Sequence, residues 1–478
     1  MDALTLQSLS PTIAIALGVI ALMIQTAFRR HPDAALTISL GSLLIALWLA
    51  ISTWPAAPVQ ATPLLVVDDY ARLFTIVLTL TAIATIVVSR AWMLPEKLDQ
   101  HEFFMLVLIA TFGAAVLAHA QHFAAFLLGL EIMGVAIYAL IAYPDKAWLP
   151  IEAGLKYLVL SSASTAILLF GFALLYTATG VLGFAELGSA LQETNPVLVG
   201  TGTLMIFVGL GFKLSLVPFH MWTPDVYEGS PTPVTGFLAT VSKVAIFVAL
   251  LRWYDSAQLW KQGTLTEALT WLAIASMLVG NFLALKQDNL KRLLGYSSIA
   301  HMGYLLVALV VFGTLGETDL AVEASVWYLI AYTASTLAAF SALSGWESRY
   351  GSGGNCHRDE LRGMFWREPF IALLMTVSLL SLAGVPLTAG FIAKFYVIAS
   401  GVEASLWLPL GVLLLGSAVS IFYYLRVIYA LSITTDQSTV VSANKQRLLQ
   451  LVFIGLLLAV LALGIYPDPL ITLVAGVL

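Results

Sequence analysis

VLVGTGTLMIFVGLGFKLSLVPF, residues 197–219, is an apolar run long enough to cross a bilayer, yet it carries Lys213 near its end and Pro218 just beyond. A membrane helix needs roughly 20 predominantly apolar residues, because hydrocarbon leaves every backbone group to be satisfied internally. A charge at the centre of such a run costs at least about 2.5–3.5 kcal/mol on insertion scales. Pro218 breaks the helix just after Lys213, and non-helical backbone at membrane depth survives only against protein or a water-filled cavity. The stretch therefore reads as one broken span of a larger bundle with a polar interior.

The rest of the chain agrees. Of 478 residues, 60% are hydrophobic and 10% charged, against roughly 25% charged in a soluble domain. Further apolar runs lie near 11–28, 34–54, 71–89, 102–119, 123–142, 153–177, 231–253, 264–285, 295–314, 320–344, 369–399, 405–431 and 448–467. The fold class is thus an all-α polytopic membrane protein of about fourteen spans; alternating β-barrel segments are absent. A short amphipathic stretch, Phe184 to Leu191, reads as lying along an interface. The segmentation expected is 1–100 for spans one to three, 101–255 for a first repeat, 256–432 for a second, and 433–478 for the last span.

Loop charge sets the orientation. After odd-numbered spans come Arg29, Arg30, Arg90, Lys97, Lys146, Lys286, Lys291, Arg292, Arg349, Arg358, Arg362, Arg367, Lys445 and Arg447; after even-numbered ones come only Arg72, Arg252 and Lys261. Odd-numbered connections are expected in the cytoplasm, with both termini on the periplasmic side of a bacterial inner membrane. The first run lacks a basic flank and reads as a retained span. The net charge of −5 with no basic block argues against nucleic acid, and the lone Cys356 beside His357 offers neither a disulfide nor a closed metal site. Cys356 reads as a plain loop thiol. No Walker loop, dinucleotide fingerprint, haem pair or iron–sulfur cysteine cluster is present, so redox energy must come from another polypeptide.

Lys156, Lys213, Lys243, Lys394 and Arg426 remain inside predicted spans, and Glu131 is the clearest buried acid. Glu131 lies roughly 13 Å into its span at 1.5 Å per residue, and Lys243 is similarly central. Lysine suits proton transfer there, because burial disfavours its charged form and a nearby carboxylate restores it. Gly384, Pro386 and Gly390 break a second span just before Lys394. Broken spans at corresponding places, seven and twelve, point to two inverted five-helix repeats. Lys156 sits four residues after Glu152 and reads equally as a surface ion pair. Arg426 reads as snorkelling toward its interface. His220 follows the first break and His301 lies within a span; both could relay protons.

Three stretches resemble the antiporter-like subunits of proton-pumping NADH:quinone oxidoreductase, respiratory complex I (NDH-1): Lys213 to Val234 running on to Lys243, Asn289 to Gly303, and Gly384 to Lys394. The Trp-Thr-Pro-Asp-Val-Tyr-Glu-Gly form at 222–229 resembles the subunit N branch. The resemblance implies a fourteen-helix antiporter-like fold. Glu131 would be the modulating acid, Lys213 the central lysine, Lys243 the connecting lysine and Lys394 the lysine nearer the exit, with Lys156 and His220 also on the path. It implies a hetero-oligomer with other membrane-arm subunits in the lipid bilayer. NADH, FMN, iron–sulfur clusters and quinone would be carried by partner subunits and none by this chain, which would translocate protons coupled to quinone reduction. A cation/proton antiporter subunit and the related subunit of a photosynthetic ferredoxin-dependent quinone reductase are the alternative readings.

Overall fold

The computed structural model describes residues 3–54, 57–96, 98–144, 147–192, 194–316, 319–350, 356–434 and 447–475. Lys97, Lys146 and Lys445 of the loop-charge pattern lie outside the described residues, as do 351–355 and 435–446 of the two longest polar loops.

Among the described residues, thirteen helices are long and apolar enough to cross a membrane. The one remaining span, the twelfth in chain order, is interrupted: Pro369–Ala383 and Ala389–Glu403 are each 15 residues, too short alone, and Gly384 between them takes a left-handed φ of +85°. The seventh is interrupted too. Pro196–Lys213 ends at the lysine, and Trp222–Gly229 resumes the crossing. The apolar run 197–219 thus extends past the true helix end, because Leu214 to Phe219, apolar save for Ser215, are not helical. Among the described residues, one small hairpin, Val59–Thr62 with Leu65–Val67, joins the second and third spans.

The connections sort onto two faces. Arg30 reaches Asp99 and Glu102, and Tyr143 donates to the Asp99 carbonyl, joining the connections after spans one, three and five. Leu290 donates to Cys356 at 2.9 Å, joining those after nine and eleven. On the other face Leu65 bridges Ala120, and His122 bridges Gly183. Arg72 and Arg252 are not loop residues there, as the sequence pattern had it. Both lie buried inside helices, Asp69–Glu96 and Thr232–Ser256. Arg252 grips Asp68 at 2.5 and 2.9 Å, and Arg72 donates to the carbonyls of Ser8 and Thr53. Lys291 is likewise buried in the first turn of Leu290–Leu315.

Helix pairing recurs five spans on. His101–His119 packs on Phe123–Ile141 as Gly263–Ala284 packs on Leu290–Leu315. Gly113 and Gly129 bring the first pair together and Gly280 and Gly303 the second; a Cβ at any of the four would stand within 3 Å of the facing helix's backbone. Such small-residue contacts bring helices together where lipid supplies no hydrophobic drive. Trp148–Thr179 packs on both halves of the seventh span as Asp319–Tyr350 packs on both halves of the twelfth. Thr232–Ser256 runs through the centre with its whole apolar stretch buried, whereas Ser10–Phe28, Pro32–Ser52 and Arg447–Ile465 expose Leu17, Trp48 and Leu451 on the outside.

Candidate functional site: a buried row of lysines

Lys213 ends its half of the seventh span because Leu214 to Phe219 leave the helix there, with Ser215 at a φ of +65°. Its side chain is 3% exposed; Nζ donates to Ser161 Oγ at 2.6 Å and lies 3.9 Å from Glu131 Oε1. Ser161 in turn meets the Tyr138 hydroxyl at 2.6 Å, and Thr165 donates to Glu131 at 2.8 Å. Glu131 is not fully enclosed: its side chain is 36% exposed. The sequence places it at membrane depth but does not show which way its helix faces.

Lys243 follows a π-helical turn, Leu238–Ser242, that swings it into the centre. Such single turns recur at functional sites. Its Nζ donates to Ser298 Oγ at 2.6 Å and stands 5.8 Å from the Tyr227 ring centre. Ser298 meets the Tyr332 hydroxyl at 2.5 Å. Tyr157, between this group and the first, packs edge-on against Tyr138.

His301 stands between Lys243 and Lys394, within electrostatic reach of both. Its Nδ1 meets the Tyr328 hydroxyl at 2.6 Å, and its ring centre is 5.5 Å from that of Tyr332. His301, Tyr328, Tyr332, Ser335, Ser381 and Lys394 line one small cavity. Lys394 Nζ donates to the Ala383 carbonyl, freed by the break, at 2.8 Å, and lies over the Tyr304 ring. Gly384 is needed there: a Cβ would fall 2.8 Å from Lys394 Cδ. Among the described residues, no carboxylate comes within 4 Å of Lys243 or Lys394. Glu131 thus lies near Lys213 at the seventh-span break, whereas Lys394 at the twelfth-span break shares a cavity with His301.

The structure thus places Glu131 and Lys213 in one polar group and Lys243, His301 and Lys394 in a second, with Tyr157 between them, and sets the other candidates outside both. Lys156 is 43% exposed and pairs with Glu152 at 2.8 Å and Asp225 at 3.2 Å. His220 is half-buried in the turn after the break, and no hydrogen bond among the described residues joins it to the lysines. Arg426 donates to the Gln287 carbonyl at 2.6 Å, near the odd-numbered face. Sequence reasoning missed the hydroxyls that join the row: Ser161, Tyr138, Ser298, Tyr332 and Tyr328. The signal was present as a polar stripe at helical spacing, Tyr328, Tyr332 and Ser335, inside an apolar span.

Outside the spans, Cys356 is the loop thiol expected, though an enclosed one. It is buried and donates to Glu347 Oε1 at 2.8 Å; burial and the Glu347 charge push the thiol up and keep it unreactive.

Residues 120–420 match the family model described as NADH:quinone oxidoreductase/Mrp antiporter, TM. The chain is 43% identical over 475 residues to the NADH-quinone oxidoreductase subunit N of Ectopseudomonas mendocina (strain ymp), covering 98% of this chain and 95% of that one. Its fold is similar to a chain of respiratory complex I from Thermus thermophilus, with a TM-score of 0.83, 33% identity, and coverage of 98% and 100%. It is also similar to a chain of the Mrp complex from Dietzia sp. DQ12-45-1b, with a TM-score of 0.86, 20% identity, and coverage of 99% and 97%; at that identity the likeness is one of fold.

Proposed function

The chain belongs to the NADH-quinone oxidoreductase subunit N family, the antiporter-like membrane-arm subunits of complex I, and from that membership we propose that protons cross through its Glu131–Lys213–Lys243–His301–Lys394 row. It works as one member of a hetero-oligomer. NADH, FMN, the iron–sulfur clusters and quinone reside in partner subunits, and this chain converts their redox step into charge movement.

The observation that carries the reading is the position of Lys213. It is buried, tethered to the neutral Ser161, and within reach of a carboxylate it does not touch. A shift of Glu131 toward or away from Lys213 changes whether the amine holds its proton. The hydroxyls of Ser298 and Tyr332 then lead on from Lys243 toward His301, and the cavity leads from His301 to Lys394. Residues 101–255 supply the Glu131–Lys243 half and 256–432 the His301–Lys394 half. The odd-numbered face, rich in Lys and Arg, is the cytoplasmic one, which puts both termini on the periplasmic side of a bacterial inner membrane. Lys156 and His220 serve the approach to the row from the cytoplasmic end.

The test is proton translocation by the whole complex in proteoliposomes, driven by NADH. Lys213→Ala and Glu131→Ala should each leave an assembled complex whose pumping is cut strongly. Assembled variants that pump normally would make both residues structural.

A further inference from the structure

Apart from Lys156, the proposed path uses none of the charges clustered at the odd-numbered face, and these surround one short piece of backbone. The half-helix Trp222–Gly229 is eight residues long, far below the length at which a helix holds its place unaided. Asp225 and Glu228 lie three residues apart and so share one of its faces. Arg292 Nη1 reaches both, at 2.8 Å and 2.6 Å. Asn289 donates to Glu228 Oε1 at 3.2 Å. Just beyond the half-helix, Lys291 donates to the Ser230 carbonyl at 2.7 Å, and Thr232 donates to Glu347 Oε1 at 2.8 Å. Asn289, Lys291, Arg292 and Glu347 all belong to the second repeat.

The half-helix is tied equally closely to the lysine of the first. Trp222 Nε1 donates to the Phe212 carbonyl at 2.9 Å, and Thr223 donates to Ser215 Oγ at 2.7 Å. Phe212 and Ser215 flank Lys213. Asp225 itself is shared, since Lys156 of the sixth span approaches its other oxygen at 3.2 Å.

We infer that Arg292 is a positioning residue that couples the two repeats, holding the half-helix Trp222–Gly229 to the second repeat and so fixing where Lys213 stands in the first. A permanently charged guanidinium suits that task, because the two N–H bonds of Nη1 serve one carboxylate each. The inference rests on the proton-translocation reading above. It adds that the two halves of the row move together.

The experiment measures protons translocated per quinone reduced by the whole complex in proteoliposomes, for Arg292→Gln and Arg292→Lys, with Lys213→Ala as control. Arg292→Gln should assemble, reduce quinone, and lose at least threefold in protons per quinone, with Arg292→Lys recovering part of the loss. Because Arg292→Gln takes the cation from between two acids, the triple variant Asp225→Asn, Glu228→Gln, Arg292→Met removes the three charges together and should assemble with the same coupling defect. A normal ratio in the assembled Arg292→Gln or triple variant overturns the inference. Failure of both to assemble overturns it too, since the tie would then hold the fold and not the coupling. If Lys213→Ala also pumps normally, it is the proton-translocation reading that has failed; if Lys213→Ala alone is defective, only the coupling role is wrong.

Discussion

Lys213 is 2.6 Å from the Ser161 hydroxyl but 3.9 Å from the Glu131 carboxylate, so its tether is the neutral partner and not the charged one. At about 4 Å a charge pair is worth on the order of 4 kcal/mol at an effective permittivity of about 20. A hydrogen bond from a charged group contributes about 1.5–3 kcal/mol. The two are comparable, so the lysine responds to small movements of either partner. A direct contact with Glu131 would lock it in the charged form.

Ser161→Ala removes the tether while keeping the helix. Loss of a charged hydrogen bond of about 1.5–3 kcal/mol corresponds to roughly a tenfold change or more in the affected equilibrium. The complex should assemble, and proton translocation in proteoliposomes should fall about tenfold. Unchanged pumping would mean that Ser161 only fills space.

Tyr332→Phe keeps the ring against His301 and removes the hydroxyl that meets Ser298 at 2.5 Å. The link from Lys243 toward His301 is then cut with little change in packing. Proton translocation should drop severalfold while the melting temperature of the complex stays within a few degrees. A variant with normal pumping would take Tyr332 off the path.

Asp68 lies outside the row and tests stability. Burial alone would raise its carboxyl, but the Arg252 guanidinium more than offsets this and holds it below the usual carboxylate range. With the folded value depressed, the pair's contribution is complete above the unfolded value of 3.8 and is lost as pH falls through the folded one. Asp68→Asn leaves Arg252 buried without its acid, which costs about 3–5 kcal/mol. Thermal unfolding at neutral pH should show the loss, and the gap to the wild type should shrink below about pH 4. A constant gap across that range would rule out the ion pair as its source.

The spans were legible because hydrocarbon demands long apolar helices, and the two breaks were legible because Pro218, Gly384 and Pro386 announce themselves. The end of the helix just after Lys213 was legible from Pro218, although the apolar run by itself carries on to Phe219. The π-turn ahead of Lys243 has no breaking residue to mark it. Arg72 and Arg252 looked like loop charges because their partners, Ser8, Thr53 and Asp68, are distant in the sequence. Nor could the sequence say that Glu131 faces Lys213 from across the bundle, or that Tyr and Ser residues, which also serve as packing, would join the row. The lysines stood out because a buried amine needs a reason, whereas a buried hydroxyl often does not.

Lys243 sits in the most enclosed helix, where the two halves of the row meet, and Lys243→Met keeps most of its length while removing the amine. NADH-driven proton translocation by the reconstituted complex carrying this substitution is the most direct measurement. The row predicts an assembled complex whose proton translocation is cut by about tenfold or more, since neither half can pass a proton to the other. An assembled Lys243→Met complex that pumps at the wild-type rate would contradict a continuous path from Glu131 to Lys394.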